Sequence, residues 1–278
     1  MTRVIAVANQ KGGVGKTTTA INVAACLAEA GFDTLLIDLD PQHNATSGLG
    51  AVAESAGSSI YGVLDGVTSL AGATLAGPVE HLSLVPSCPD LAGAEVELAG
   101  ADHRELALRH ALDGQLDAYQ FVFVDCPPSL GLLTVNGLAA AREALVPVQA
   151  EYYALEGLAQ LLTTIDLVRR GVNPGLRLLG IVVTMLDGRT RLGREVTADV
   201  RDNLGADVFD TAVPRNVRLG EAPSYGLPIS RYDATCAGSD AYFDLAKEIV
   251  TRTSHRGRQA PNGLDAGRRS QTAQGRVR

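Results

Sequence analysis

The run Gln10-Lys11-Gly12-Gly13-Val14-Gly15-Lys16-Thr17-Thr18 gathers groups suited to phosphate chemistry into one short stretch. Glycines let a chain turn its backbone N–H groups onto an anion, and Gly13, Val14, Gly15 and Lys16 would offer those amides. Lys16 adds a charge for the outer phosphates, the Thr17 hydroxyl can ligate Mg²⁺, and Thr18 can add a bond to an α-phosphate. The strict phosphate-loop spacing, G-x-x-x-x-G-K-[ST], would put its first glycine at position 10, where this chain has Gln10. The motif is therefore a variant. Its unusual member is Lys11, which by residue type alone is either a solvated surface lysine or a cation able to reach a neighbouring subunit's nucleotide.

Such a loop works only between a strand and a helix, and the flanking residues supply both. Val4 to Ala8 is a continuous apolar run, as expected of a strand buried on both faces. After Thr17, Ala20, Val23, Ala24, Leu27 and Ala28 recur at helical spacing, and Gly31 can close that helix. Further apolar strands are expected at Thr34 to Leu39, Phe121 to Asp125, Ala144 to Val148 and Leu178 to Met185, with a helix over Leu155 to Val168. This alternation predicts an α/β fold, a doubly wound, mostly parallel sheet with helices on both faces and ligands at the strands' C-terminal ends. Ala51 to Gly77 reads as a surface excursion with short helices, and no internal repeat is evident.

At 278 residues and 46% hydrophobic content the chain can bury one large core, and a single domain over 1–250 is expected. A net charge of −7 excludes a surface wrapped everywhere in nucleic acid and leaves only a local basic patch possible. Arg189, Arg191 and Arg194 form one such group and Arg215 and Arg218 a second. Taken alone, each group is more simply a solvated face. The segment 251–278 turns polar, with seven Arg and one Asp, and is expected to be largely a disordered basic tail, with auxiliary DNA contact as the lesser alternative. Cys26, Cys88, Cys126 and Cys236 form no C-x-x-C pair, so neither a zinc site nor a disulfide framework is indicated, and a reducing cytoplasm is expected. The apolar run near Met1 is too short for an export signal or a membrane span.

The variant loop resembles the deviant Walker A motif of the ParA/MinD family of P-loop ATPases. The likeness continues through Asn9-Gln10, Asp38-Leu39-Asp40-Pro41-Gln42, Asn44 to Gly48, Asp125-Cys126-Pro127-Pro128-Ser129, Glu151 to Gly157 and Pro214 to Pro223. It spans Thr2 to Val250 and points to the chromosomal ParA, or Soj, branch. The resemblance implies an ATPase with weak intrinsic activity that uses ATP and Mg²⁺ and holds its nucleotide between two protomers of a homodimer. Lys11 would then reach across to the partner's phosphates, as an arginine finger does. Lys16 would bind phosphate, Asp40 would position or polarise the attacking water, and Asp38 would be structural support. Asp40 has a plainer alternative as a turn cap before Pro41. Asp125 would hold Mg²⁺ through water, with Pro127 to Gly131 as the adjoining switch. Met185, Pro214 and Asn216 would lie near the adenine. Glu156 could reach the partner's nucleotide, although an exposed helical glutamate is the more frequent explanation.

The same resemblance implies non-specific double-stranded DNA binding through Arg189, Arg191, Arg215 and Arg218, a ParB-type centromere-binding partner, and nucleoid association in the cytoplasm. The cargo would be a chromosome or a plasmid. Three alternatives stand beside it. A MinD-like membrane ATPase would need an apolar stripe after Val250, which the tail lacks. An iron-sulfur relative would need Cys88 and Cys126 as cluster ligands, whereas Cys126 in a proline-rich switch suits a buried small residue. An ATP-switched transcriptional regulator would bind a specific operator.

Overall fold

The computed structural model describes residues 2–98, 100–151 and 154–257, with backbone alone at 154–156, 192 and 255–257. The Glu156 side chain and the tail from 258 onward lie outside the described residues. Seven strands form one sheet: β1 (Arg3–Val7), β2 (Thr34–Asp38), β3 (Leu75–Ala76), β4 (Leu82–Val85), β5 (Phe121–Asp125), β6 (Glu143–Gln149) and β7 (Arg177–Thr184). Their order is β3-β4-β2-β5-β1-β6-β7, and every pairing is parallel except the edge pair of β3 and β4.

The helices between them are α1 (Lys16–Glu29), α2 (Asn44–Gly48), α3 (Ile60–Leu64), α4 (Leu70–Ala73), α5 (Leu91–Leu98), α6 (Ala107–Leu112), α7 (Leu132–Ala140) and α8 (Ala154–Gly171). After β7 come α9 (Arg191–Leu204), α10 (Val217–Glu221), α11 (Ile229–Tyr232) and α12 (Ala237–Gly257). Side chains alternate across a strand, so each central strand feeds two cores. Val4, Ala6, Leu35, Ile37, Val122 and Val124 face a cluster that includes Leu133, Leu138, Leu161 and Ile165 from α7 and α8. Ile5, Val7, Leu36, Phe121 and Phe123 face α1 and α12 through Ala24, Leu27, Tyr242, Leu245 and Ile249. Each large side chain buried this way contributes about 1.5–3 kcal/mol, which is why the strands carry apolar residues at both parities.

Two expectations change. The C-terminal boundary at 250 falls inside α12, which runs on to Gly257. Arg252 explains the extension: its guanidinium lies 3.9 Å from the Phe209 ring centre and donates to the Leu179 and Val208 carbonyls and to Glu248. Thr253 is buried, and its carbonyl accepts from Arg3 of β1 at 2.6 Å. Residues 251–257 are therefore part of the folded unit despite their polar composition. The excursion after Ala51 also ends in β3, and Leu82–Val85 adds a strand to those expected from the apolar runs.

Candidate functional site

Parallel strands release their chains at one end of the sheet, and the phosphate loop leaves β1 there. Gly13 and Gly15 hold φ of 74° and 83°, a left-handed backbone that costs glycine little, and they turn the loop into the first turn of α1. Thr184 at the end of β7 pins the loop by donating from Oγ1 to the Val14 carbonyl at 2.8 Å. Asn9 donates to the Pro147 carbonyl of β6 at 2.6 Å and accepts from the Lys11 amide at 3.0 Å. Neither Asn9 nor Thr184 was singled out in the sequence for this role; their one signal is a polar residue at the end of an apolar strand.

Lys16 is 6% exposed, and its Nζ donates to the Lys11 carbonyl at 3.1 Å across the loop. Burial lowers its pKa, opposed by the carboxylates of Asp125 and Asp40. Lys11 turns the other way: its Nζ sits 2.8 Å from Glu151 Oε2, beyond the end of β6. Glu151 is in turn held by Gln149, which donates to its other oxygen.

The acids come from the neighbouring strands β2 and β5, where Asp38 and Asp125 are paired in register. Asp38 is fully buried and accepts from the Thr46 amide and hydroxyl, each at 2.7 Å, and from the Asp40 amide at 3.2 Å. Burial pushes its pKa up to about 6, against the pull of those donors. These bonds fit the supporting role expected of it. Asp40 is 5% exposed and lines the cleft. One of its oxygens accepts from the Gln42 amide at 2.9 Å, so the turn-capping contact exists and leaves the second oxygen available.

Asp125 is buried with neither carboxylate oxygen in a hydrogen bond of good geometry. Burial and then the Asp38 carboxylate raise its pKa well above the usual range, while the nearby Thr17 hydroxyl and Lys16 ammonium pull the other way. A buried carboxylate without a partner is costly, and a divalent cation beside Thr17 would remove that cost. The residues present thus fit a Mg²⁺ ion completed by phosphate and water. Among the described residues, no group of three or more His, Cys, Asp or Glu is arranged to hold a metal by itself.

Around these groups lies a cleft of about 510 Å³, lined by Gly12, Gly13, Gly15 to Thr18, Asp40, Asn44, Ser47, Pro128 and the segment Ala222 to Ser224. Lys11 is not among its walls. An adjoining hollow of about 220 Å³ shares Gly15, Thr18 and Met185 with it and adds Pro214, Arg215, Asn216, Leu219 and Tyr242. Met185, Pro214 and Asn216 therefore do come together beside the loop, with Met185 at φ 52° where β7 turns toward them.

The expected DNA-contact residues lie among different acidic partners. Arg189 is bonded to Asp187 through both guanidinium and carboxylate forks at 3.0 Å, and Arg215 also acts on Asp187. Arg191 pairs with Glu195 at 2.7 Å at the start of α9, while Arg194 bonds the Gly188 and Arg189 carbonyls. Arg218 belongs to a separate network with Glu221 and Asp233. Cys88 and Cys126 are buried, the first against the Ser59 hydroxyl and the second beneath the switch, and burial raises the Cys126 thiol pKa. Neither is placed as an exposed cluster ligand.

Comparison with known proteins gives this geometry its relatives. A family described as an AAA domain matches residues 2–178. The chromosome-partitioning ATPase Soj of Thermus thermophilus is 56% identical over 250 residues, covering 90% of this chain and 96% of that protein. Its counterpart in Treponema pallidum is 50% identical over 256 residues, covering 92% and 100%. A structure of cobyrinic acid a,c-diamide synthase from Mycobacterium smegmatis, with bound ADP and magnesium, aligns at a TM-score of 0.80 with 39% identity, over 94% of this chain and 98% of that one. With its variant loop, its pair of lysines and its strand-end acids, this chain belongs to the ParA/Soj family of deviant Walker A P-loop ATPases.

Proposed function

We propose that the chain is a DNA-partitioning ATPase that pairs with a second copy of itself through bound ATP, binds double-stranded DNA without sequence preference, and is released when a ParB-type partner stimulates hydrolysis. The observation that carries this reading is the opposite disposition of the two loop lysines. Lys16 already supplies the cation of its own cleft, whereas Lys11 stands outside that cleft on Glu151. A cation so placed acts most simply on the nucleotide of another molecule. The relatives named as chromosome-partitioning ATPases support the same biological output.

In this reading the amides of Gly13 to Lys16 hold the phosphates, and Met185, Pro214 and Asn216 flank the adenine in the adjoining hollow. Thr17, and Asp125 through water, would hold Mg²⁺, which would supply positive charge to the phosphates. Asp40 orients a water for in-line attack on the γ-phosphorus, and Asp38 fixes Asp40 through its amide. Lys16 and the Lys11 of the second copy stabilise the charge that gathers as the bond to ADP breaks. Pairing doubles the phosphate contacts available to Arg189, Arg191, Arg215 and Arg218, so DNA affinity follows nucleotide state. Nucleoid association follows from DNA binding. Among the described residues no helix is long and apolar enough to cross a membrane, and α12 spends its apolar face on the core.

The test is ATP turnover with and without duplex DNA and a ParB-type protein, alongside sedimentation of the ATP-bound form. Synergistic stimulation with an ATP-dependent dimer is the expected result. Turnover indifferent to both additions would refute it.

A further inference from the structure

Two segments that line the cleft meet backbone to backbone at Gly50 and Gly226. Gly50 closes the segment that begins at Asp40 and runs through α2, and Gly226 closes the turn Ala222–Tyr225. Both residues have positive φ, 69° and 68°. A Cβ on Gly226 would stand 2.7 Å from the Gly50 Cα and 3.0 Å from its nitrogen; one on Gly50 would stand 3.3 Å from the Gly226 Cα. Gly226 has no room for a side chain, Gly50 has room only if its neighbour gives slightly, and neither backbone conformation favours one. Beside this contact, a Cβ on Gly48 would lie 2.8 Å from Ile21 Cδ1 and 3.7 Å from Pro223 Cβ. The two segments therefore touch backbone to backbone near the surface, Gly50 exposed and Gly226 half-buried, with no flexible side chain between them to absorb movement.

What lies at each end gives the contact a direction. On one side are Asn44 and Ser47 of the cleft wall and Asp40, whose position depends on Asp38. On the other, Pro223 and Ser224 line the same cleft, and α10 immediately before them carries Arg218. Tyr225, 66% exposed, stacks on Tyr232 at 5.0 Å between ring centres, and Tyr232 donates to the Glu221 partner of Arg218.

We propose that the Gly50–Gly226 contact is a joint that carries the state of the γ-phosphate from the Asp40 segment to the Arg218 segment within a single copy. Only the consequence for DNA rests on the function proposed above. The nucleotide thus sets the placement of Arg218 directly, in addition to any effect of pairing.

The test is hydrogen exchange of the full chain with Mg²⁺ and either ADP or a non-hydrolysable ATP analogue, which differ at the γ-phosphate alone. In the wild-type chain, exchange at 44–50 and at 217–221 should slow together, by about threefold or more on going from ADP to the analogue. Gly226→Ala should keep the change at 44–50 and lose it at 217–221, whereas effects of direct nucleotide contact or of pairing would survive the substitution. Gly50→Ala, with the milder clash, is the second variant and carries the comparison should Gly226→Ala fail a thermal-melting check. Protection at 44–50 without protection at 217–221 in the wild type overturns the joint, as does a folded variant that retains both. Duplex binding by Arg218→Glu is measured in parallel: undiminished binding would remove Arg218 from the DNA contacts, and the exchange result would still decide the joint.

Discussion

Lys11 Nζ and Glu151 Oε2 lie 2.8 Å apart across 140 residues of sequence, with the two side chains 40% and 47% exposed. The pair holds Lys11 away from the cleft, so any reach toward a second copy must first break it. A half-exposed ion pair is worth about 0–1 kcal/mol, so releasing one in each of two copies should shift the pairing equilibrium by no more than about 30-fold. Glu151→Gln is expected to lower the concentration for half-maximal ATP-dependent pairing by about two- to fivefold in analytical ultracentrifugation. Weaker pairing in that variant would instead mean that Glu151 belongs to the paired state.

Asp125 and Asp38 face one another in register, and both are buried carboxyls with raised pKa, about 6 for Asp38. In the unfolded chain such groups titrate near 4. A carboxyl with a raised folded pKa stabilises the fold fully below its unfolded pKa and loses that contribution as pH rises through the folded one. The ligand-free chain should therefore lose stability from about pH 4 upward, through about 6 for Asp38 and beyond for Asp125. Asp125→Asn removes the larger cost: it should melt close to wild type near pH 4 and a few degrees higher near pH 8. Mg²⁺ with an ATP analogue should reverse that ranking by stabilising the wild type alone. Equal melting temperatures for ligand-free wild type and variant at pH 8 would contradict the cost assigned to Asp125.

Much of this site is readable from the sequence because its parts are local. Phe121–Asp125 shows its strand, its burial and its terminal acid in five consecutive residues, and the observed strand has those bounds. The loop and the start of α1 are similarly contiguous. What the sequence hides is non-local or short. Leu82–Val85 is a four-residue strand interrupted by Ser83, and it becomes a strand only by pairing with β2. Residues 251–257 read as a polar tail because the partners of Arg252, namely Phe209, Leu179 and Val208, are remote in sequence. Spacing likewise shows clustered arginines but not that Asp187, Glu195 and Glu221 already engage them.

Lys16 and Asp40 should fail in different ways. Lys16 is buried against the loop's own carbonyl, so Lys16→Ala removes the charge that holds phosphate before any chemistry begins. Its expected phenotype is loss of ATP binding by isothermal calorimetry. Asp40 leaves one carboxylate oxygen uncommitted at the cleft, and positioned proton-accepting groups contribute about 10²–10⁴-fold to rate. Asp40→Ala is therefore expected to bind ATP and pair normally while turnover drops about 100-fold or more. Turnover near wild type would leave Asp40 with its turn-capping role alone.

Of the arginines proposed to grip DNA, Arg189, Arg191 and Arg218 are each paired with a carboxylate in the free chain, and this makes their acidic partners informative. Arg189 is 92% exposed yet shares two bonds with Asp187, on which Arg215 also acts, so a phosphate must compete with that carboxylate. Asp187→Asn should free Arg189 and remove the negative charge that acts on Arg215. Its ATP-dependent affinity for duplex DNA is expected to rise by about two- to fivefold at low salt, with a slope of log affinity against log salt steeper by about one. Arg218→Glu should weaken binding at every duplex sequence while ATP-dependent pairing persists. Fluorescence anisotropy over a salt series reads both variants, and an Asp187→Asn chain with unchanged affinity and slope would place the DNA contact away from the Arg189 and Arg215 side.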